Sequence, residues 1–454
     1  MKKIILIIIT VVTMLGIPAC GDKQSNQSTV TDDYRYSSYT YDDNAPQYYM
    51  AGSAAASETG YYYIDGAPVI NNSNMYIYYY DMIKDMTIPL CSKVDCDHRT
   101  DECEAYISQN ICVGSKIWYH NERLYMIEKT EEKDILVSYD KTMRDKKEEK
   151  TLSINGLSVS KNACITNGKL YYELSGDNSL FICAVSLNSD EQAYVVKEYV
   201  SEYNYYERVS LYPIEDKIYV NWLSGVSADK SLYYIEQIDI STDKVSRLCD
   251  MNEKYPEISS TIINWNSETY FDKDGNLYFT CVDKDNYMVK KLNISTGDIK
   301  DLYVQELQHE KDYGYVHLKN YDGNYIYIYK GVNLMALSGK PLDEQFKKYD
   351  NYIYILDTDG NIKDTVILNN TDEKVSGNIS AEFYGGDERC LLIGFSTHDI
   401  KGLELSEEEQ NLRIKLEDEV FKNKKGFVDV NVSAILDKSQ IGSGNITLEP
   451  VTPE

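Results

Sequence analysis

A meander of about three short strands recurs along most of the chain, and this repeat constrains the fold more than any other sequence feature. Its clearest copy is the segment 275–302, GNLYFTCVDKDNYMVKKLNISTGDIKDL. In its first strand Leu277, Phe279 and Cys281 alternate with Tyr278 and Thr280, which is the period of two expected of a strand. One such meander cannot bury its own apolar face, so the copies must pack against one another.

Five copies share a Leu-Tyr or Ile-Tyr pair at the start of a strand, with roughly 46 to 59 residues between consecutive pairs. This period fits the four strands of a β-propeller blade. Less regular copies around 74–91 and 389–436 bring the count to seven, so the sequence predicts an all-β chain folded as a seven-bladed β-propeller, with six or eight blades as the alternatives. The irregular first and last copies can share strands, since closing the ring removes exposed edges. The five pairs begin at Leu124, Leu170, Ile218, Leu277 and Ile326.

One insertion in the last blade breaks the repeat. Residues 406–425 begin with Ser406 and Glu409, the spacing of a helix capping box, and carry Leu412, Leu416 and Val420 on one stripe. This pattern predicts a helical insertion. The stripe packs on its own blade or offers a docking face to a partner.

The N-terminal sequence predicts that the protein is located outside the cytoplasmic membrane. Two lysines precede an apolar run that is too short to span a bilayer, and the run ends in Ile-Pro-Ala-Cys-Gly at residues 17–21. This ending resembles a bacterial lipoprotein signal, in which the chain is cut before a lipidated cysteine, here Cys20. An ordinary secretory signal is the alternative. Several acyl chains on one cysteine anchor a protein stably, because each buried methylene contributes about 0.8 kcal/mol.

These features divide the chain into a signal peptide at 1–19, the lipidated Cys20 with a flexible tether over 20–57, and a propeller domain over 58–454 that contains the insertion at 406–425. The tether is assigned from its polar composition and its lack of an apolar period. Lysine and arginine total 46 against 73 aspartates and glutamates. This acidic balance without a basic patch excludes nucleic acid as an expected partner.

Cysteine and histidine cluster in one stretch, CSKVDCDHRTDEC, which contains Cys91, Cys96, His98 and Cys103. Three thiolates and an imidazole can converge on one tetrahedral ion, so a structural zinc is one interpretation. One or two disulfides, such as Cys91 with Cys103, are the second, and free thiols are the third. The other cysteines are scattered through strand patterns, which argues against a disulfide framework across the chain.

Two segments, DKDGN at Asp272 and DTDGN at Asp357, look like fragments of calcium loops. They lack the glutamate at loop position twelve and the flanking helices, so both are predicted to be hairpin turns.

The stretch 89–107, PLCSKVDCDHRTDECEAYI, resembles a motif in the first blade of uncharacterised, predicted propeller lipoproteins of clostridia-like bacteria. The pattern of that group, roughly Leu-Cys, Cys-x-His and Cys-x-Ala-Tyr, falls here on Leu90, Cys91, Cys96, His98, Cys103, Ala105 and Tyr106. Val94 stands where proline is expected and Glu104 where asparagine is frequent, and neither change removes a ligand. The resemblance implies a propeller fold and a location outside the cytoplasmic membrane, but it implies no activity.

Enzyme motifs are missing from the sequence: it has no Gly-x-Ser-x-Gly elbow, no His-Glu-x-x-His pair and no Walker loop. No catalytic residue is therefore assigned. The favoured function is a cell-surface binding module for an extracytoplasmic ligand, carbohydrate or protein, recognised by loops at one face of the ring. A polysaccharide-active hydrolase or lyase is the first alternative, and a structural subunit that docks through the insertion is the second.

Overall fold

The computed structural model describes residues 36, 38–43, 52–66, 75–96, 98, 100–107, 112–176, 179–200, 207–225, 231–265, 268–283, 285–306, 314–332, 351–368, 380–397 and 430–451. The chain divides into two units, 1–39 and 40–454. In the first unit a turn closes where the Tyr39 N–H donates to the Tyr36 carbonyl over 2.9 Å. The second unit contains all the sheets.

The described part of the second unit contains seven antiparallel sheets of strands consecutive in sequence: six have four strands, and the sheet of blade 1 has five. The prediction of a seven-bladed β-propeller is confirmed. In chain order the strands are β1 Ala54–Ala56, β2 Gly60–Gly66, β3 Met75–Asp81, β4 Met86–Pro89 and β5 Tyr106–Ile107 in blade 1; β6 Cys112–His120, β7 Arg123–Lys129, β8 Asp134–Asp140 and β9 Lys146–Thr151 in blade 2; β10 Ser158–Thr166, β11 Lys169–Ser175, β12 Ser179–Ser186 and β13 Tyr194–Val200 in blade 3; β14 Glu207–Ile214, β15 Lys217–Gly225, β16 Ser231–Asp239 and β17 Lys244–Asp250 in blade 4; β18 Thr269–Phe271, β19 Asn276–Val282, β20 Asn286–Asn293 and β21 Ile299–Glu306 in blade 5; β22 Gly314–Tyr321, β23 Tyr325–Val332, β24 Tyr352–Asp357 and β25 Ile362–Ile367 in blade 6; and β26 Ser380–Gly386, β27 Cys390–Thr397, β28 Val430–Asp437 and β29 Leu448–Pro450 in blade 7.

The Leu-Tyr and Ile-Tyr pairs of the repeat mark the second strand of each of blades 2 to 6. In β19 the consecutive residues Leu277, Tyr278 and Phe279 are each at most 1% exposed, so both faces of the strand are covered. Neighbouring blades supply this cover: the Tyr278 ring stacks on Tyr321 of blade 6 with 4.6 Å between ring centroids. Burial on both faces explains why these strands are the most apolar and the easiest to find in the sequence.

Blade 1 begins earlier in the chain than its repeat suggests. The segment NMYIYYYDM forms the third strand, β3, and not the second. Strand β1, Ala54–Ala56, precedes residue 58, at which the predicted propeller domain starts.

Among the described residues, blade 1 and blade 7 are separate sheets, so the strand sharing considered for the irregular first and last copies does not occur there. First strands of successive blades adjoin one another, and β1 contacts both β6 and β26. The closure interface is built around Arg389 of blade 7, whose side chain is 1% exposed. Its guanidinium donates to the carbonyls of Ser57 over 2.6 Å and Glu58 over 2.9 Å, both in blade 1.

Asp387 completes the closure interface. Its Oδ2 accepts from Arg389 Nε over 2.8 Å, and its Oδ1 accepts from the Tyr61 hydroxyl of blade 1 over 2.6 Å. A buried ion pair is favourable only when its remaining donors and acceptors are satisfied, and here the Arg389 guanidinium, the Asp387 carboxylate and the Tyr61 hydroxyl all have partners.

Tight hairpin turns are held by aspartates, as predicted for the two Asp-Gly segments. Asp272 Oδ1 accepts from the backbone N–H groups of Asp274 and Asn276 over 3.0 and 2.9 Å, and its Oδ2 accepts from the Tyr278 hydroxyl over 2.9 Å. Asp357 caps its own turn in the same manner. These carboxylates are occupied by the turns themselves.

Helix is scarce in the described part of the chain. Two short helices, α1 Met251–Lys254 and α2 Pro256–Trp265, connect blades 4 and 5, and neither was predicted. The predicted helical insertion at 406–425 lies outside the described residues. Among the residues that are described, no helix has the length and apolar character needed to cross a membrane.

Candidate functional site

The Cys91–Cys103 loop interrupts the outermost strand of blade 1. β4 pairs with the second half of β3, and β5 pairs with its first half, so the loop leaves the strand and returns to it. Two backbone hydrogen bonds fix its base: the Leu90 N–H donates to the Ile77 carbonyl over 3.0 Å, and the Ile77 N–H donates to the Ala105 carbonyl over 2.9 Å. Leu90 and Ala105 are both buried, which explains the place of these apolar residues in the motif.

Four potential metal ligands converge in this loop. The Sγ atoms of Cys91, Cys96 and Cys103 and a ring nitrogen of His98 all lie within 4.8 Å of one another. His98 Nδ1 is 3.4 Å from Cys103 Sγ. A tetrahedral zinc with Zn–S bonds of about 2.3 Å holds its ligand atoms slightly under 4 Å apart, so small movements suffice for coordination.

The three cysteines are free thiols, with Cys103 buried and Cys91 and Cys96 half-buried. Burial opposes ionisation of Cys91, but hydrogen bonds from backbone N–H groups of Lys93 and Glu104 outweigh it and lower the pKa of this thiol. For Cys103 burial dominates and raises the pKa to about 12. N–H···S bonds of this kind are also the outer-shell contacts that orient thiolate ligands around a metal.

The backbone at His98 is in the left-handed region, with φ of 56°. For a residue with a Cβ this conformation costs about 1–2 kcal/mol. The conformation places His98 within reach of the three thiols, and coordination would offset its cost.

A set of three sulfurs and one nitrogen suits zinc, since soft thiolates with one imidazole select this metal over calcium or magnesium. Four protein ligands fill a tetrahedral ion and leave no position for substrate. The cluster can therefore stabilise the loop but is not arranged for metal-assisted catalysis.

The remaining predicted site residues, Cys20, Leu412, Leu416 and Val420, lie outside the described residues. Sequence reasoning missed two features that the structure shows, the buried Arg389 and a contact between residues 40–43 and blade 2. The aspartate and arginine of DERC, residues 387–390, were a visible signal for the first, although their partners lie in blade 1.

A half-buried histidine gives the ring a pH-dependent component of stability. His317 lies on β22, the first strand of blade 6, where burial and the Lys319 charge lower its pKa to about 4. As the pH falls, His317 is therefore protonated at a higher pH in the unfolded state than in the folded state. The stability that neutral His317 contributes is present above about pH 6.5 and is lost as the pH falls towards 4.

We expect the variant His317→Gln to reduce the loss of unfolding free energy between pH 7 and pH 4.5 by the order of 2 kcal/mol relative to the wild type. Denaturant titrations of both proteins at pH 7, 5.5 and 4.5 measure this difference. Parallel curves for the two proteins would contradict the assignment.

No family model and no curated protein sequence matches this chain. Solved structures that are similar include a prolyl endopeptidase at 10% identity and a TM-score of 0.47, where the match covers 89% of this chain and 51% of that one. A protein from Lactobacillus plantarum matches at 9% identity and a TM-score of 0.42, over 84% of this chain and 93% of that chain. An oligogalacturonate lyase from Vibrio parahaemolyticus matches at 10% identity and a TM-score of 0.41, over 72% of this chain and 80% of that chain.

The chain spans about half the length of the prolyl endopeptidase that it resembles. At these identities the similarity concerns the fold and not the activity. The sheets themselves define the protein as a seven-bladed propeller, with a Cys₃His cluster in its first blade.

Proposed function

We propose that this chain is a lipid-anchored propeller on the outer side of a bacterial cell membrane, where it binds a ligand or a protein partner, and that a structural zinc holds its Cys91–Cys103 loop. The anchor is Cys20, following the signal at residues 1–19. The ligand is a carbohydrate or a protein segment outside the cytoplasm. Loops at one face of the ring recognise it.

The observation that carries this proposal is the saturated ligand set of the cluster. Cys91, Cys96, His98 and Cys103 supply four donors within 4.8 Å of one another. A metal held in this way shapes a surface loop and leaves no open position for catalysis. Binding proteins typically recognise their ligands through loops that a rigid scaffold holds in place.

Metal analysis of the purified protein tests the zinc. We expect one zinc per chain in the wild type and a loss of at least tenfold in zinc affinity in Cys96→Ser, because the serine hydroxyl is a poor zinc ligand at neutral pH. Cys183→Ser is the matched control, since Cys183 is buried in β12 away from the cluster. A wild type that contains no zinc and binds none on addition would refute the metal.

Glycan arrays and pulldowns from the membrane fraction test the binding function. The expected result is retention of a carbohydrate or a protein without chemical change. Turnover of a polysaccharide would instead favour the enzyme alternative.

A further inference from the structure

A short segment ahead of the first blade is bound to blade 2. The Tyr41 hydroxyl donates to the Tyr119 carbonyl over 2.8 Å, and the two rings meet edge to face with 5.3 Å between centroids. Asp43 Oδ1 accepts from the backbone N–H of Asn121 over 3.0 Å. We call residues 40–43 the clamp. They lie within the stretch predicted to be a flexible tether.

His120 adds a second contact to the clamp. This side chain is 5% exposed, and its Nδ1 lies 3.5 Å from Asp43 Oδ1. Its Nε2 lies 3.0 Å from the Asn121 side-chain nitrogen, whereas Nδ1 makes no hydrogen bond within the described residues, so its approach to Asp43 is electrostatic. One aromatic contact and several polar contacts thus join the clamp to the end of β6 and to the turn that follows it.

Antiparallel strands give the ring two distinct faces. Because the direction alternates from strand to strand, the connections between first and second strands and between third and fourth strands all lie on one face, which we call the turn face. Connections between second and third strands, and those from one blade to the next, lie on the opposite face, which we call the loop face. The turn that binds the clamp, Asn121–Glu122, joins β6 to β7 and belongs to the turn face.

The two faces differ in character. On the turn face the connections of blade 5 are the short turns at 272–275 and 294–298. The loop face carries helices α1 and α2 between blades 4 and 5. In addition, the Cys91–Cys103 loop leaves blade 1 from the half of its outer strand that is nearer the loop face, because β5 pairs with the beginning of β3.

We propose that the clamp orients the ring on the membrane, with the turn face towards the bilayer and the loop face outward to meet a partner. This inference rests on the proposed anchor at Cys20. Residues 40–43 are the first residues of the unit that contains the sheets, and contacts of Tyr41 and Asp43 hold them on the turn face. The point of the ring that is nearest to the anchor in the sequence is therefore on blade 2 and not at the start of β1.

Energy transfer to the membrane tests the orientation. An encoded fluorophore replaces either Lys273 or Asp285, two exposed residues at opposite ends of β19 in blade 5. The seven residues of this strand separate them by roughly 23 Å. The lipidated full chain is reconstituted in phosphatidylcholine vesicles that contain headgroup-labelled acceptor lipid.

We expect transfer to be at least twofold more efficient from position 273 than from position 285, and the double variant Tyr41→Ala/Asp43→Ala to abolish that difference while the protein stays on the vesicles. Equal transfer from both positions, or more from position 285, would overturn the orientation. A difference that survives in the double variant would overturn the role of the clamp.

The Cys20→Ala variant tests the anchor separately from the orientation. It should leave the vesicles entirely, whereas the clamp variant should remain bound. If the chain with Cys20 intact does not bind vesicles, the anchor fails and the orientation fails with it. If it binds but shows no difference between the two positions, only the orientation fails.

Discussion

Replacing Arg389 by methionine is expected to lower the free energy of unfolding by about 3–5 kcal/mol, because breaking a buried ion pair from one side leaves the other charge without compensation. Asp387 would lose its ion pair with the guanidinium but keep its hydrogen bonds to backbone and to Tyr61. The carbonyls of Ser57 and Glu58 would lose their donors at the closure interface. Denaturant unfolding of the wild type and the variant measures the difference.

The matched control is Lys300→Met. Lys300 Nζ lies 3.1 Å from Asp359 across blades 5 and 6, but both side chains are more than half exposed. Exposed pairs of this kind contribute about 1 kcal/mol or less. If both methionine variants lost the same small amount, the closure interface would not depend on Arg389.

Removing the zinc proposed for the Cys₃His cluster is expected to have the second large effect. A ligand that binds only the folded state stabilises it by about 4 kcal/mol when its free concentration is a thousand times its dissociation constant. Chelation of zinc should therefore lower the unfolding free energy by about this amount. The effect should concentrate in the outer strand of blade 1, where hydrogen exchange at Ile77, Leu90 and Tyr106 should accelerate first.

Addition of zinc should restore the protected amides, and magnesium should not, because the ligands are thiolates and an imidazole. The Cys96→Ser variant should already exchange rapidly at Ile77 and Leu90 and should not respond to the chelator. Slow exchange in the wild type with and without chelator would show that the loop is held by its own contacts, such as those of the buried Ala105.

The propeller could be predicted from the sequence because its central strands are buried on both faces. Leu170, Ile218 and Leu277 are fully buried and are each followed by a buried tyrosine, and this pairing recurs with the blade period. Blade 1 was harder to place, since its second strand reads GYYYIDG and contains no such pair. Its start at Ala54 is also short, at three residues.

The Cys₃His cluster could be predicted from the sequence because its four residues lie close together along the chain. The closure interface was not, because Arg389 meets Glu58 across 331 positions and no local pattern relates them. Likewise, the stretch around Tyr41 has no apolar period, and its partner Tyr119 lies 78 positions away. Both contacts exist only once the ring has brought distant blades together.

Since each described sheet is built from strands that are consecutive in sequence, each can pair as soon as its own strands have left the ribosome. Domains and their parts form in the order of synthesis when the contacts are local. The junction of blade 7 with blade 1 is the exception. Until residues 387–389 have been synthesised, the first edge of the growing propeller lacks the blade-7 contacts that Arg389 and Asp387 make with it, so closure of the ring has to wait for the last blade.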